Sequence, residues 1–227
     1  MSEKQNIITI DGPAGVGKST VSRMVAAATG FTYLDTGAMY RGVGLFLQEQ
    51  AVNLGDSKAI GKLLQQLDMQ LLPATVQSTD VGVLINGRDV SAEIRTPAMA
   101  MVASDVSALA VVRDYLTSIQ RRYGERGSIV AEGRDTGTVV FPAAAFKFFL
   151  DARAEERARR RYSQLKAKGM DADLEEILAM TLTRDKNDSE RDIAPLVQAE
   201  DASRIDTTEI SVDEVVSLIL QKVKKGL

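Results

Sequence analysis

Asn6-Ile7-Ile8-Thr9-Ile10-Asp11 runs directly into Gly12-Pro13-Ala14-Gly15-Val16-Gly17-Lys18-Ser19. The first segment is short, β-branched and apolar, the pattern of a buried strand. The second fits the spacing G-x-x-x-x-G-K-[ST] at every specified position. A helical pattern then extends from Lys18 to about Thr29, where Gly30 ends it. Strand, glycine-rich loop and helix in that order form a cradle for phosphate. Backbone N–H groups from Gly12 to Thr20 can turn toward the oxygens, the helix N-terminus adds positive potential, Lys18 reaches the outer phosphates, and the Ser19 hydroxyl can ligate Mg²⁺. The dinucleotide fingerprint does not fit, because a third glycine would have to stand where Thr20 stands.

Further along the chain the same alternation continues. Phe31 to Asp35 reads as a second strand, with Thr36 as the expected cap of a helix running through Met39, Val43, Phe46 and Leu47. Strands are expected at Ser128–Ala131, at 146–151 and at 203–206, separated by helical stretches. Five strands alternating with helices predict an α/β domain with a parallel sheet flanked by helices. The rhythm breaks between about Asp68 and Glu93, where short alternating runs surround Asn86-Gly87, a pair favoured in tight hairpins. The expectation is one domain over residues 1–227, with a core of 1–66 and 96–227 and a small antiparallel insert at about 67–95.

The 227 residues contain no His, no Cys and no Trp, and their 28 Lys and Arg against 31 Asp and Glu give a net charge of -3. Imidazole bases, Ser-His triads, thiol nucleophiles, zinc fingers and Cys-ligated clusters are thereby excluded. Any catalysis must run on carboxylates, Lys, Arg, hydroxyls, backbone amides or a hard, oxygen-liking metal. A slightly acidic chain argues against nucleic acid as a partner. No apolar run reaches the length of a membrane span, Lys147 and Asp105 interrupting the longest, and the start of the chain resembles no export signal. A cytoplasmic protein is the expectation. Positive charge is nonetheless concentrated between Asp151 and Met170, where Arg153, Arg157, Arg159, Arg160, Arg161, Lys166 and Lys168 stand against Asp151, Glu155 and Glu156.

A phosphate loop leaves open what becomes of the nucleotide. The guanine-reading N-K-x-D of GTPases is absent, and Ile129-Val130-Ala131-Glu132 ends in a single acid where motors usually carry two. Phosphoryl transfer to a small molecule is favoured. Arg41 and Arg134 follow the second strand and the Ser128–Ala131 strand, near the carboxyl rim where open α/β sheets bind ligands. A planar, permanently charged guanidinium suits a second, phosphorylated substrate. Another nucleoside monophosphate such as UMP, a small metabolite, or a non-enzymatic ATP-binding regulator stand as alternatives.

The chain resembles the bacterial cytidylate kinase family over nearly its whole length. The resemblance lies in Ile10-Asp11-Gly12-Pro13, Asp35-Thr36-Gly37-Ala38-Met39-Tyr40-Arg41, Ser91-Ala92-Glu93-Ile94-Arg95, Val112-Arg113, Glu132-Gly133-Arg134-Asp135-Thr136-Gly137-Thr138, the run from Glu155 to Arg161, and Arg184-Asp185 through Asp188 to Arg191. Glu132 and Thr36 stand where relatives often have Asp and Ser. The resemblance implies a P-loop nucleotide kinase fold, γ-phosphate transfer from ATP to CMP or dCMP with Mg²⁺, an Arg-rich helical lid at about 153–170, and a monomer. It implies that Arg41, Arg134 and Arg191 hold the CMP phosphate, that Arg184 and Asp188 contact the sugar, and that Ser104, Arg113 and Asp135 read cytosine. Thr36 and Arg95 join the acceptor contacts. A carboxylate at Asp135 suits this role, since cytosine presents an amino donor where uracil presents an acceptor. Helical spacing places Arg157 and Arg161 one turn apart, on one side of the lid, with other members of the run facing water. Lys18, Arg134, Arg157, Arg161 and Arg191 are the expected catalytic set.

Overall fold

The computed structural model describes residues 5–72, 81–167 and 169–226. In chain order the elements are β1 (Gln5–Asp11), α1 (Lys18–Thr29), β2 (Thr32–Asp35), α2 (Thr36–Glu49), α3 (Ser57–Leu64), β3 (Met69–Leu72), β4 (Gly82–Ile85), β5 (Arg88–Asp89), α4 (Pro97–Ser107), α5 (Ala110–Glu125), β6 (Ile129–Gly133), β7 (Ala144–Asp151), α6 (Ala154–Ala167), α7 (Leu174–Glu190), β8 (Ser203–Asp206) and α8 (Val212–Gly226). They form two compact units, one of Met1–Leu34 with Arg126–Leu227 and the other of Asp35–Glu125. Lys168, part of the expected basic run, lies outside the described residues, as do residues 73–80 of the expected insert.

The first unit is built on a five-stranded sheet in the order β2-β6-β1-β7-β8. The strand pairs β1–β6, β1–β7 and β7–β8 are parallel, with Ile7 opposite Ile129 and Ile10 opposite Phe148. β1 is therefore central, and Ile7, Ile8 and Ile10 are all within 1% of full burial. A strand covered on both faces reads as a continuous apolar run, and this is what the sequence shows. Ile8 and Ile10 join Val130, Phe148 and Leu150 in one cluster with Val21 and Val25 of α1 and Val215 and Ile219 of α8. Thr9 and Asp11 alternate to the other face. α6 and α7 share a smaller apolar seam of Ala158, Leu165 and Ile177, with Tyr162 and Leu178 against it.

The second unit carries a three-stranded antiparallel sheet in the order β3-β4-β5. The β4–β5 turn is Asn86-Gly87, with φ of +50° and +80°, the two left-handed residues that a tight hairpin requires. Met69, Val83 and Ile85 are buried and Leu84 partly so, so the alternation read from sequence has a covered face. One expectation needs correcting. Asp35, and not Thr36, caps α2: its carboxylate accepts from the Ala38 N–H at 2.8 Å, and Thr36 is the first helical residue. A carboxylate is as good a cap as a hydroxyl and sits at the positive end of the dipole.

Candidate active site

The loop between β1 and α1 is held by its carbonyls. Gly12, Gly15 and Gly17 take φ of +147°, +83° and +93°, which side chains on L residues disfavour. At Gly12 space is also decisive, since a Cβ would come 2.0 Å from the Leu150 carbonyl oxygen. Pro13 O accepts from Lys18 Nζ at 2.6 Å, Ala14 O from Arg157 Nη1 at 3.1 Å, and Val16 O from Thr207 Oγ1 at 3.2 Å. Carbonyls anchored this way leave the loop's amide N–H groups as donors for an anion. The first turn of α1 contains no acidic residue to oppose the positive end of its dipole.

Lys18 is 7% exposed. Burial pushes its ammonium well below the ordinary lysine range, Arg134 and Arg184 push the same way, and Glu132 and Asp188 oppose them. Such an ammonium gains from a polyanion that neutralises its surroundings. Ser19 and Thr20, in the first turn, are exposed. Among the described residues no group of three carboxylates forms a metal cage. The exposed Ser19 hydroxyl fits Mg²⁺, which usually keeps several waters and is bound in part through substrate phosphates.

Arg134 and Asp135 leave the end of β6, and their placement depends on Asp11. The Thr136 N–H and hydroxyl donate to Asp11 Oδ1 at 2.9 and 2.8 Å, and the Gly137 N–H donates to Oδ2 at 2.7 Å. Burial raises the Asp11 pKa, and these hydrogen bonds hold it down without cancelling the rise. Gly137 has to be small, because a Cβ would meet Thr9 Oγ1 at 2.8 Å. Glu132 accepts from the Tyr33 hydroxyl. Arg134 Nε donates to Asp188 Oδ2 at 2.8 Å, and the Arg191 guanidinium lies 3.8 Å from Asp188 Oδ1 and 4.0 Å from Asp135 Oδ1. For Asp188, burial pushes the carboxyl upward but Arg134, Arg184 and Arg191 outweigh it, leaving the pKa below the usual range. Arg134 is raised: burial works against its charge, and Asp188, Glu132 and Asp11 prevail.

Arg157 and Arg161 behave differently. Arg157, 5% exposed, donates from Nε to Ala152 O at 2.9 Å and makes a two-pronged pair with Asp185, at 2.9 and 2.5 Å, besides its bond to Ala14 O. Arg161, half-buried, has no protein partner among the described residues. Arg160 ties α6 to Thr207 and Thr208 through their carbonyls, and Arg159 is 70% exposed beside Glu156.

In the second unit, Arg41 of α2 lies 3.3 Å from Asp35, and Arg95 donates to Val81 O at 2.6 Å. Arg113 of α5 is buried, donates to Ser107 O at 3.0 Å and stacks over the Tyr40 ring at 5.6 Å. Ser104 is half-buried on α4, where its carbonyl accepts from the Ser107 hydroxyl; Thr36 is buried at the start of α2. Sequence reasoning named no role for Asp11, Asp185 or Thr207. Asp11 could have been noticed as an acid ending an otherwise apolar strand, whereas nothing in local spacing marks Asp185 or Thr207.

A parallel sheet whose central strand ends in a phosphate loop with a buried lysine defines a P-loop kinase fold. A family model described as cytidylate kinase matches residues 8–225. A cytidylate kinase of Carboxydothermus hydrogenoformans is 49% identical over 216 residues, covering 94% of this chain and 95% of that protein. One from Syntrophotalea carbinolica is 49% identical over 220 residues, covering 97% and 92%. The bifunctional pantoate ligase/cytidylate kinase of Synechococcus elongatus is 48% identical over 96% of this chain and 42% of its own length. The crystal structure of an uncharacterized protein from Eubacterium ventriosum superposes with a TM-score of 0.51 at 14% identity, covering 98% of this chain and 99% of that one. The chain belongs to the cytidylate kinase family.

Proposed function

We propose that this chain transfers the γ-phosphate of ATP to CMP or dCMP, giving CDP or dCDP and ADP, by in-line displacement on the loop Gly12–Ser19. The single observation that carries the reading is the cytidylate kinase match across residues 8–225, which includes every residue of that loop. The backbone donors of the loop and Lys18 bind the ATP phosphates. The Ser19 hydroxyl would hold Mg²⁺, which would supply neutralising charge to the ATP phosphates. Arg134 and Arg191 stabilise the transferred phosphoryl group and, with Arg41, hold the CMP phosphate. Arg184 and Asp188 contact the sugar, and Thr36 and Arg95 add acceptor contacts.

Asp135, with Ser104 and Arg113, reads the cytosine amino group; a uracil carbonyl there would face a carboxylate and lose a hydrogen bond. Residues 67–95 act as the acceptor-binding insert and 153–170 as the lid, in which Arg161 reaches phosphate. No helix among the described residues is long and apolar enough to cross a membrane. We place the enzyme in the cytoplasm, where both nucleotides are made and used, and expect a monomer. ADP release measured against CMP, dCMP, UMP, AMP and GMP tests the reading. CMP and dCMP should lead, and Asp135→Asn should shrink the ratio of kcat/KM for CMP over UMP about tenfold or more. Equal rates with UMP in the unaltered enzyme would overturn the substrate assignment.

A further inference from the structure

We infer that Asp185 is a positioning residue for the ATP-phosphate loop, acting through Arg157. Arg157 spends its donors on protein. Nε bonds the Ala152 carbonyl at the end of β7, Nη1 bonds the Ala14 carbonyl, and both terminal nitrogens bond Asp185 on α7. Its contact with the loop is close along its length, since a Cβ on Gly15 would sit 3.1 Å from Arg157 Cβ. A guanidinium held in a fork by a carboxylate has its plane fixed, and a fixed plane determines where the remaining N–H points. Here it points at the loop. Asp185 is 25% exposed, so its charge is shielded enough to matter and reaches solvent only in part.

Two other loop carbonyls are held without α7, by Lys18 at Pro13 and Thr207 at Val16. The Ala14 anchor is the one of these three that α7 orients. Loss of Asp185 would leave Arg157 buried with two donors unsatisfied and free to rotate. The loop would then lose one anchor and its amides would point less accurately at phosphate, a penalty on ATP and not on CMP.

This inference rests on the loop being the seat of the ATP phosphates. The test is steady-state kinetics on the full chain with Asp185→Asn, Asp185→Glu and Arg157→Gln. Asp185→Asn should raise KM for ATP about tenfold while KM for CMP stays within about twofold, and Asp185→Glu, which keeps the charge, should recover most of the loss. The double variant Asp185→Asn with Arg157→Gln should be no worse than Arg157→Gln alone, because the two act as one unit. Unchanged KM for ATP, or equal rises for both substrates, would overturn the inference. Where Asp185→Asn lowers the thermal midpoint enough to confuse kinetics, the Asp185→Glu variant and its ATP-to-CMP ratio of KM decide. Lys18→Ala, assayed by ATP binding, separates the premise from the inference: if it binds ATP normally, the loop is not the seat, whereas weakened binding with an unmoved Asp185→Asn ratio condemns Asp185 alone.

Discussion

The loop Gly12–Ser19 presents backbone amides and one ammonium, that of Lys18, whereas the cluster drawn from Glu132–Asp135 and Arg184–Arg191 presents three guanidiniums interleaved with carboxylates. In the loop, structure supplies the acceptors: Lys18 rests on a carbonyl, and burial depresses its pKa. In the cluster, opposite charges neutralise one another, and Asp188 is kept ionised by the arginines around it. A site made of backbone depends on a few consecutive residues and their φ angles. A site made of ion pairs depends on partners brought from elements about fifty positions apart, Arg134 and Asp188 among them. A phosphate bound as proposed would relieve Lys18 of a poor environment, but would compete with existing carboxylates for the arginines.

Three substitutions probe that contrast, on one scale of effect. Lys18→Ala should lower transfer about a thousandfold or more, with a thermal midpoint close to that of the unaltered chain because a buried charge has been removed and no partner charge is stranded. Activity within tenfold of normal would mean that the backbone alone suffices. Asp188→Asn should cost about 3 kcal/mol of stability at neutral pH, since Arg134 is left without its carboxylate. The sign with pH follows from its depressed folded pKa: the stabilisation is present above the ordinary aspartate value, about 3.9, and is lost as pH falls through the lower folded value. Melting midpoints of the two proteins should thus begin to converge below about pH 4 and meet only below that folded value, and a gap that persists there would mean packing and not charge. Arg159→Ala should change kcat/KM by about twofold or less, because Arg159 is exposed beside Glu156. A large loss would mean that Arg159 carries the phosphate contact proposed for Arg161.

The same contrast explains what could be read without coordinates. The helix Lys18–Thr29 and the strand Ser203–Asp206 fall where the pattern put them, and β1, β2, β6 and β7 differ by one to two residues at their ends. These elements announce themselves through local periodicity and a glycine stop. The order of strands in the sheet is a long-range property, and alternation alone is silent on it. Thr36 fits a cap because hydroxyls favour that position, yet Asp35 one residue earlier accepts from the Ala38 N–H and makes Thr36 the first helical residue. The loop was legible as a site because its spacing is its geometry. The roles of Ser104, Arg113 and Arg184 come through resemblance, and the pairing of Asp185 with Arg157 comes only from the coordinates, since a helix acid carries no sign of the arginine 28 positions earlier that it holds.

The place of β1 has a bearing on synthesis. Of the strands described it is made first, yet it lies at the middle of the sheet, with Ile7 beside Ile129. At about 5 to 20 residues per second, its neighbour emerges on the order of ten seconds later. During that interval three isoleucines have no neighbouring strand to pair with, and the nascent chain carries a sticky, unpaired segment whose burial must await more than half of the residues that follow it.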